Sequence, residues 1–148
     1  MSLKEQLNQD MKAAMKAKET DRLSTIRQLR SAIKNKEIEL RQELDDTSIL
    51  AVIGTLVKQR RESAELYRAN NRPELADKEE AELTVLQQYL PTQLSEVEIR
   101  DLVAEVIAET GAASPKDMGK VMPVVMARAG GAAEGRLVNQ IVRELLAV

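Results

Sequence analysis

Apolar residues in this chain return every three or four positions from one end to the other, and nowhere do they alternate one by one. That period belongs to the α-helix, which realigns a side chain after about 3.6 residues, whereas a half-buried strand needs a period of two. The pattern therefore predicts an all-α fold. Glycine and proline, which interrupt helices, number six and four and lie mostly at the gaps in the pattern. Those gaps divide the chain into seven predicted helices.

The first runs from Leu3 to about Lys18, with Leu3, Leu7, Met11, Ala14 and Met15 on one face. Thr20 and Asp21 are candidate caps for the second, which reaches about Leu44 on a stripe of Leu23, Ile26, Leu29, Ile33, Leu40 and Leu44. Asp45 to Ser48 break and cap, and the third helix then runs to Asn70-Asn71. Pro73 suits the first turn of the fourth, where a missing N–H is harmless. Pro91 forces the residue before it out of helical geometry and marks the main boundary. Ser95 with Glu98 reads as a capping box opening the fifth helix. Gly111 ends it, Ser114-Pro115 opens the sixth, Gly130-Gly131 stop that one, and the seventh begins near Glu134. The expected organisation is a four-helix N-terminal unit, residues 1–92, and a small three-helix C-terminal unit, residues 95–148.

Cysteine and histidine are absent. Disulfides, thiolate or imidazole zinc sites, cysteine nucleophiles and Ser-His relays are thereby excluded. No cofactor and no metal are expected. The N-terminus is charged and amphipathic without an apolar signal core, so the cytoplasm is the expected location. No window approaches the roughly 18 apolar residues of a membrane span, so no membrane partner is expected. Residues 1–90 carry 16 basic and 16 acidic side chains, and residues 91–148 carry 6 and 8. This is not the basic balance of a dedicated nucleic-acid binder, any such contact needs a local patch, and no DNA partner is expected.

Several constellations stand out. Arg27, Arg30, Lys34 and Arg41 share one side of the second helix, and Lys58, Arg60, Arg61, Arg68 and Arg72 lie on the third. Such rows neutralise phosphates, or they are solvated faces laced by i,i+4 pairs. Arg30 and Glu37 interrupt an aliphatic stripe, either as structural ion-pair members or as ligand-holding groups. Asp77, Glu79, Glu80 and Glu82 suit a helix N-terminus through its dipole and match no metal-ligand loop. Met118, Met122 and Met126 form one stripe, as core or as an adaptable partner surface. Lys120, Arg128, Arg136 and Arg143 are the basic groups of the last two helices.

Taken in order, Ile33–Glu39, Leu56–Ser63, Glu79–Leu83, Tyr89-Leu90-Pro91, Asp117-Met118-Gly119-Lys120-Val121-Met122 and Gly135-Arg136-Leu137-Val138-Asn139 resemble the YqeY family over essentially the whole chain. That family is similar to the C-terminal tail of GatB, the B subunit of the glutamine-dependent aminoacyl-tRNA amidotransferase. The resemblance implies a non-catalytic helical protein that binds tRNA or a tRNA–enzyme complex. It implies Lys120, Arg128, Arg136 and Asn139 as phosphate or 2′-hydroxyl contacts, with Gly119 and Gly135 allowing close approach. Two alternatives accompany it: an accessory component or paralogue of an amidotransferase, a carbon–nitrogen ligase with glutamine as amide donor, and a protein-interaction module using the methionine stripe. Pro123, in the middle of the sixth helix, is expected to kink or shorten it. With Tyr67 and Tyr89 as its sole aromatics, the chain lacks base-stacking platforms, so RNA contact would be by shape and phosphate.

Overall fold

Some helix ends in this chain follow from side chains that replace missing backbone partners, others from a proline or a left-handed residue. The computed structural model describes residues 1–147. Helix α1 (Leu3–Lys16) opens on a capping box: the Ser2 hydroxyl accepts from Glu5 N–H, and the Glu5 carboxylate accepts from Ser2 N–H. Helix α2 (Thr20–Leu40) has no side-chain cap; Thr20 and Asp21 form its first turn instead of capping it. It stops at Leu40 rather than near Leu44, because Arg41 turns left-handed with φ 55° and donates back to the Glu37 and Ile38 carbonyls. Helix α3 (Asp46–Ala69) is capped by Asp45, whose carboxylate accepts from Ser48 N–H at 2.8 Å. Helix α4 (Pro73–Gln87) starts on its proline, as its sequence predicts.

In the second half, α5 (Glu96–Thr110) opens on the Ser95/Glu98 capping box and closes on left-handed Gly111. A 3₁₀ turn (Pro115–Asp117) precedes α6 (Met118–Ala129), so the expected first turn of the sixth helix is not α-helical. Pro123 does not break α6, which continues through it to Gly130 at φ 55°. A proline there removes one bond, to the carbonyl of Gly119. Gly119 and Pro123 are both exposed, so water can take that carbonyl. Helix α7 (Gly135–Leu146) completes the fold. Among the described residues there is no strand, and no helix is long and apolar enough to cross a membrane.

The chain divides into two compact units, Met1–Leu90 and Pro91–Val148. In the first, Leu7, Ile26, Leu29, Ile33, Leu44, Ile49, Ile53, Val57, Leu86 and Tyr89 form one apolar core. Tyr89 follows α4 back into that core and donates its hydroxyl to Asp10 of α1 at 2.6 Å. Desolvation, then this bond, pushes the phenol pKa up. In the second unit, Ile99, Val103, Val106, Val121, Val125, Val138, Ile141 and Val142 make a wholly aliphatic core. Met118, Met122 and Met126 pack half-buried against it. The extended segment after Pro91 is pinned to the α6–α7 loop: Leu94 N–H donates to the Ala132 carbonyl at 2.7 Å, and the Gln93 amide to Gly131 at 3.1 Å.

Candidate functional site

The six residues singled out at the C-terminal end do not converge on one free basic surface. Lys120 is exposed on α6 and lies 3.7 Å from Asp117. Asp117 caps the 3₁₀ turn, and backbone N–H groups of Ala113 and Ser114, aided by Lys120, hold its pKa below the usual carboxylate range. Arg128 reaches across to α5, where it pairs with Glu109 and lies 3.8 Å from Glu105. Its hydrogen bond to Glu109 lowers that carboxyl's pKa. Arg136 is exposed in the first turn of α7, and Asn139 is half-buried one turn on. A methyl group on Gly119 would meet nothing within 4 Å, and one on Gly135 would touch only the Met126 methyl carbon at 3.8 Å. Gly119 is thus open to approach, while Gly135 is a packing position beside a methionine. Arg100 is likewise engaged, with Glu96 at 2.9 Å and Glu144 at 2.6 Å.

The acidic opening of α4 has a structural use. Asp77 and Glu80 grip Arg68 of α3 at 2.9 and 2.8 Å. Glu82 pairs with half-buried Arg60 at 3.3 Å, and Arg60 also donates to Gln28 of α2 at 2.7 Å. Arg60 and Arg68 of the second basic row therefore hold α3 to its neighbours. Among the described residues, no group of three or more His, Cys, Asp or Glu is placed to hold a metal ion.

The first basic row is different. Arg27, Arg30 and Lys34 fall at i, i+3 and i+7 and so share one side of α2. They line a groove of about 630 Å³ between α1 and α2. Its floor is apolar: buried Leu7 and Ile33, with half-buried Met11 beside them. Asn8 and Ser31 add neutral polar groups. Among the described residues, no carboxylate lies within ion-pair distance of Arg27, Arg30 or Lys34. Arg30 instead extends across to α1, its guanidinium 2.8 Å from the Met11 sulfur, a weak acceptor.

Glu37 closes one end of the groove. Its Oε2 accepts from Lys4 Nζ at 2.5 Å and from Leu44 N–H at 2.8 Å. The Lys4 hydrogen bond first, then that of Leu44, holds the Glu37 pKa below the usual carboxylate range, and Glu37 raises that of Lys4. Glu37 is thus a structural ion-pair member, but its partner is Lys4 rather than Arg30 or Arg41. The spacing within α2 revealed Arg27, Arg30 and Lys34. Nothing in the sequence pairs them with Lys4, Asn8 and Met11, because that contact is made between helices.

A family profile described as "Yqey-like protein" matches residues 4–146. Curated relatives named "Altered inheritance of mitochondria protein 41, mitochondrial" match as well. The protein of Lachancea thermotolerans is 39% identical over 113 residues, covering 74% of this chain and 60% of its own length. That of Vanderwaltozyma polyspora is 42% identical over 85 residues, covering 57% of this chain and 46% of its own. That of Saccharomyces cerevisiae is 38% identical over the same span and shares. The chain thus spans about half the length of the curated relatives it matches. These names overturn the expected cytoplasmic location, since the relatives are designated mitochondrial. That expectation rested on a missing apolar signal core. Mitochondrial transit segments are themselves amphipathic and charged, so the missing core does not separate the two compartments.

Proposed function

The chain belongs to the Yqey-like protein family, and on that premise we propose that it is a non-catalytic tRNA-binding protein that holds RNA by its phosphates. One observation carries the reading: Arg27, Arg30 and Lys34 form a row of cations over a groove of about 630 Å³, and among the described residues no carboxylate lies within ion-pair distance of them. An ion pair already made must be broken before its cation meets a phosphate. A free guanidinium exchanges only water and binds phosphate oxygens in a fork. The groove of the first unit is therefore the primary contact. Lys120, Arg128, Arg136 and Asn139, with Gly119 and Gly135, form a secondary and weaker one. Net charge of −2 gives no long-range steering, so affinity is no better than roughly micromolar, in the range of sequence-independent binding.

Fluorescence anisotropy with labelled tRNA, from low to physiological salt, tests this. Three or four phosphate contacts give a log–log salt slope of roughly −2 to −4. Replacing Arg27, Arg30 and Lys34 together by alanine should weaken binding to all tRNAs alike, because phosphate contacts carry no sequence information. Replacing Lys120, Arg128 and Arg136 should weaken it less. Absence of binding even at low salt would sink the reading and favour a protein-interaction module.

A further inference from the structure

We propose that the α1–α2 groove is a binding site for a nucleotide bearing a phosphomonoester, seated with its phosphate against Arg27, Arg30 and Lys34. The inference deepens the RNA reading at the same groove and rests on it for the choice of nucleotide chemistry. It names a discrete group where that reading needs only a charged face.

The groove is built in three zones. The first is the cation row: two guanidiniums and an ammonium along about 10 Å of helix, at about 1.5 Å of rise per residue. A phosphomonoester carries close to two negative charges near neutral pH and three acceptor oxygens, which suits several neighbouring cations better than the single charge of a phosphodiester. The second zone is the floor, where Leu7, Met11 and Ile33 offer an apolar surface. A free inorganic anion gains nothing from it, whereas a base or sugar face buries apolar area there. The third zone is Glu37, whose charge keeps the phosphate away from that end. Its Oε2 is committed to Lys4 and Leu44, while Oε1 has no partner among the described residues and can accept from a sugar hydroxyl. The volume of about 630 Å³ lies within the roughly 300–1,000 Å³ of small-molecule sites.

Arg30 sharpens the assignment. Its guanidinium crosses the groove to a thioether, and guanidiniums that serve structure in this chain meet carboxylates instead, as Arg68 and Arg128 do. A phosphate oxygen is a far stronger acceptor than a sulfur. Ligand binding would therefore draw Arg30 from Met11 to the phosphate.

The test is titration calorimetry on the full chain at low salt with adenosine monophosphate, adenosine and inorganic phosphate. Adenosine monophosphate should bind, adenosine should bind at least about tenfold more weakly, and inorganic phosphate should compete. Arg30→Gln and Arg27→Gln should each weaken the nucleotide about tenfold or more, the loss expected when a charge-assisted hydrogen bond is removed. Both sites are exposed, so circular dichroism should be unchanged. Lys78→Gln, at an exposed position of α4, should leave nucleotide affinity unaltered. An RNA oligomer with a 5′-phosphate compared with its 5′-hydroxyl form separates the sources. Preference for the phosphorylated end assigns the site to RNA termini, and indifference alongside binding of adenosine monophosphate assigns it to free nucleotide. Equal binding of adenosine, or affinity unmoved by both arginine changes, overturns the proposal, as does no binding of the nucleotide. Nucleotide binding without tRNA binding would sink the RNA reading alone; tRNA binding without nucleotide binding would sink this one alone.

Discussion

Arg27, Arg30 and Lys34 differ from Lys120 and Arg128 in what stands beside them, and that difference decides what each can bind. Asp117 answers Lys120, and Glu105 and Glu109 answer Arg128. At the groove the one carboxylate, Glu37, is answered by Lys4. This pair makes a pH prediction. The folded pKa of Glu37 lies below its ordinary value of 4.5. Its contribution to stability is therefore present above that value and is lost as pH falls through the lower, folded value. The Lys4 pKa is raised above 10.5, so its share is present below that value and disappears only at more alkaline pH. Glu37→Gln should lower the melting temperature at pH 7, and the gap from the parent should narrow as pH falls below 4.5. Thermal melts across that range check this; a gap that keeps its size as pH falls would refute the assigned role.

At the scale of elements, the glycines near the two ends of α6 have opposite meanings. Gly119 is helical, exposed and surrounded by open space. Gly130 is the left-handed residue that ends the helix, at φ 55°. Gly119→Ala should raise stability by at most roughly 0.5–1 kcal/mol, the cost of glycine in a helix interior, since Gly119 lies in the first turn. Gly130→Ala should lower it by roughly 1–2 kcal/mol, since a Cβ in left-handed geometry meets its own carbonyl. Urea unfolding followed by circular dichroism measures both, and shifts of the same sign would contradict the helix boundaries described. Gly119→Ala also probes the secondary RNA contact. If the groove carries most of the binding, the added methyl group should weaken tRNA affinity less than loss of the Arg27, Arg30 and Lys34 cations.

For the whole molecule, the informative fact is that each unit has a separate apolar core. Residues 1–90 gather theirs from α1 to α4, with Leu44 and Tyr89 supplied by the segments that follow α2 and α4. Residues 91–148 gather theirs from α5 to α7, with Ala133 from the connecting loop. A unit of about 55–65 residues is small but can fold alone. Expressed separately, residues 1–90 and 91–148 should each show a helical spectrum and a cooperative melt, with nucleotide and most tRNA affinity in the first. An unstructured second fragment would show that its aliphatic core is too small to stand unaided. The family profile spans residues 4–146 and so covers both units.

The sequence by itself determined the fold class, because helical periodicity is a local property repeated along the chain. It also determined most helix ends, since Ser2, Asp45, Pro73, Ser95, Gly111 and Gly130 act on backbone within a few residues. It could not show that α2 stops at Leu40, because the left-handed turn at Arg41 brings Leu44 to a core built from other helices. Nor could it separate free cations from answered ones. Arg68 with Glu80, Arg128 with Glu109 and Lys4 with Glu37 are pairs between helices, and spacing within a helix carries no record of them. Local chemistry wrote the elements; tertiary packing decided which charges remain available to a ligand, because a charge is neutralised by whatever lies within a few ångströms, however distant in the chain.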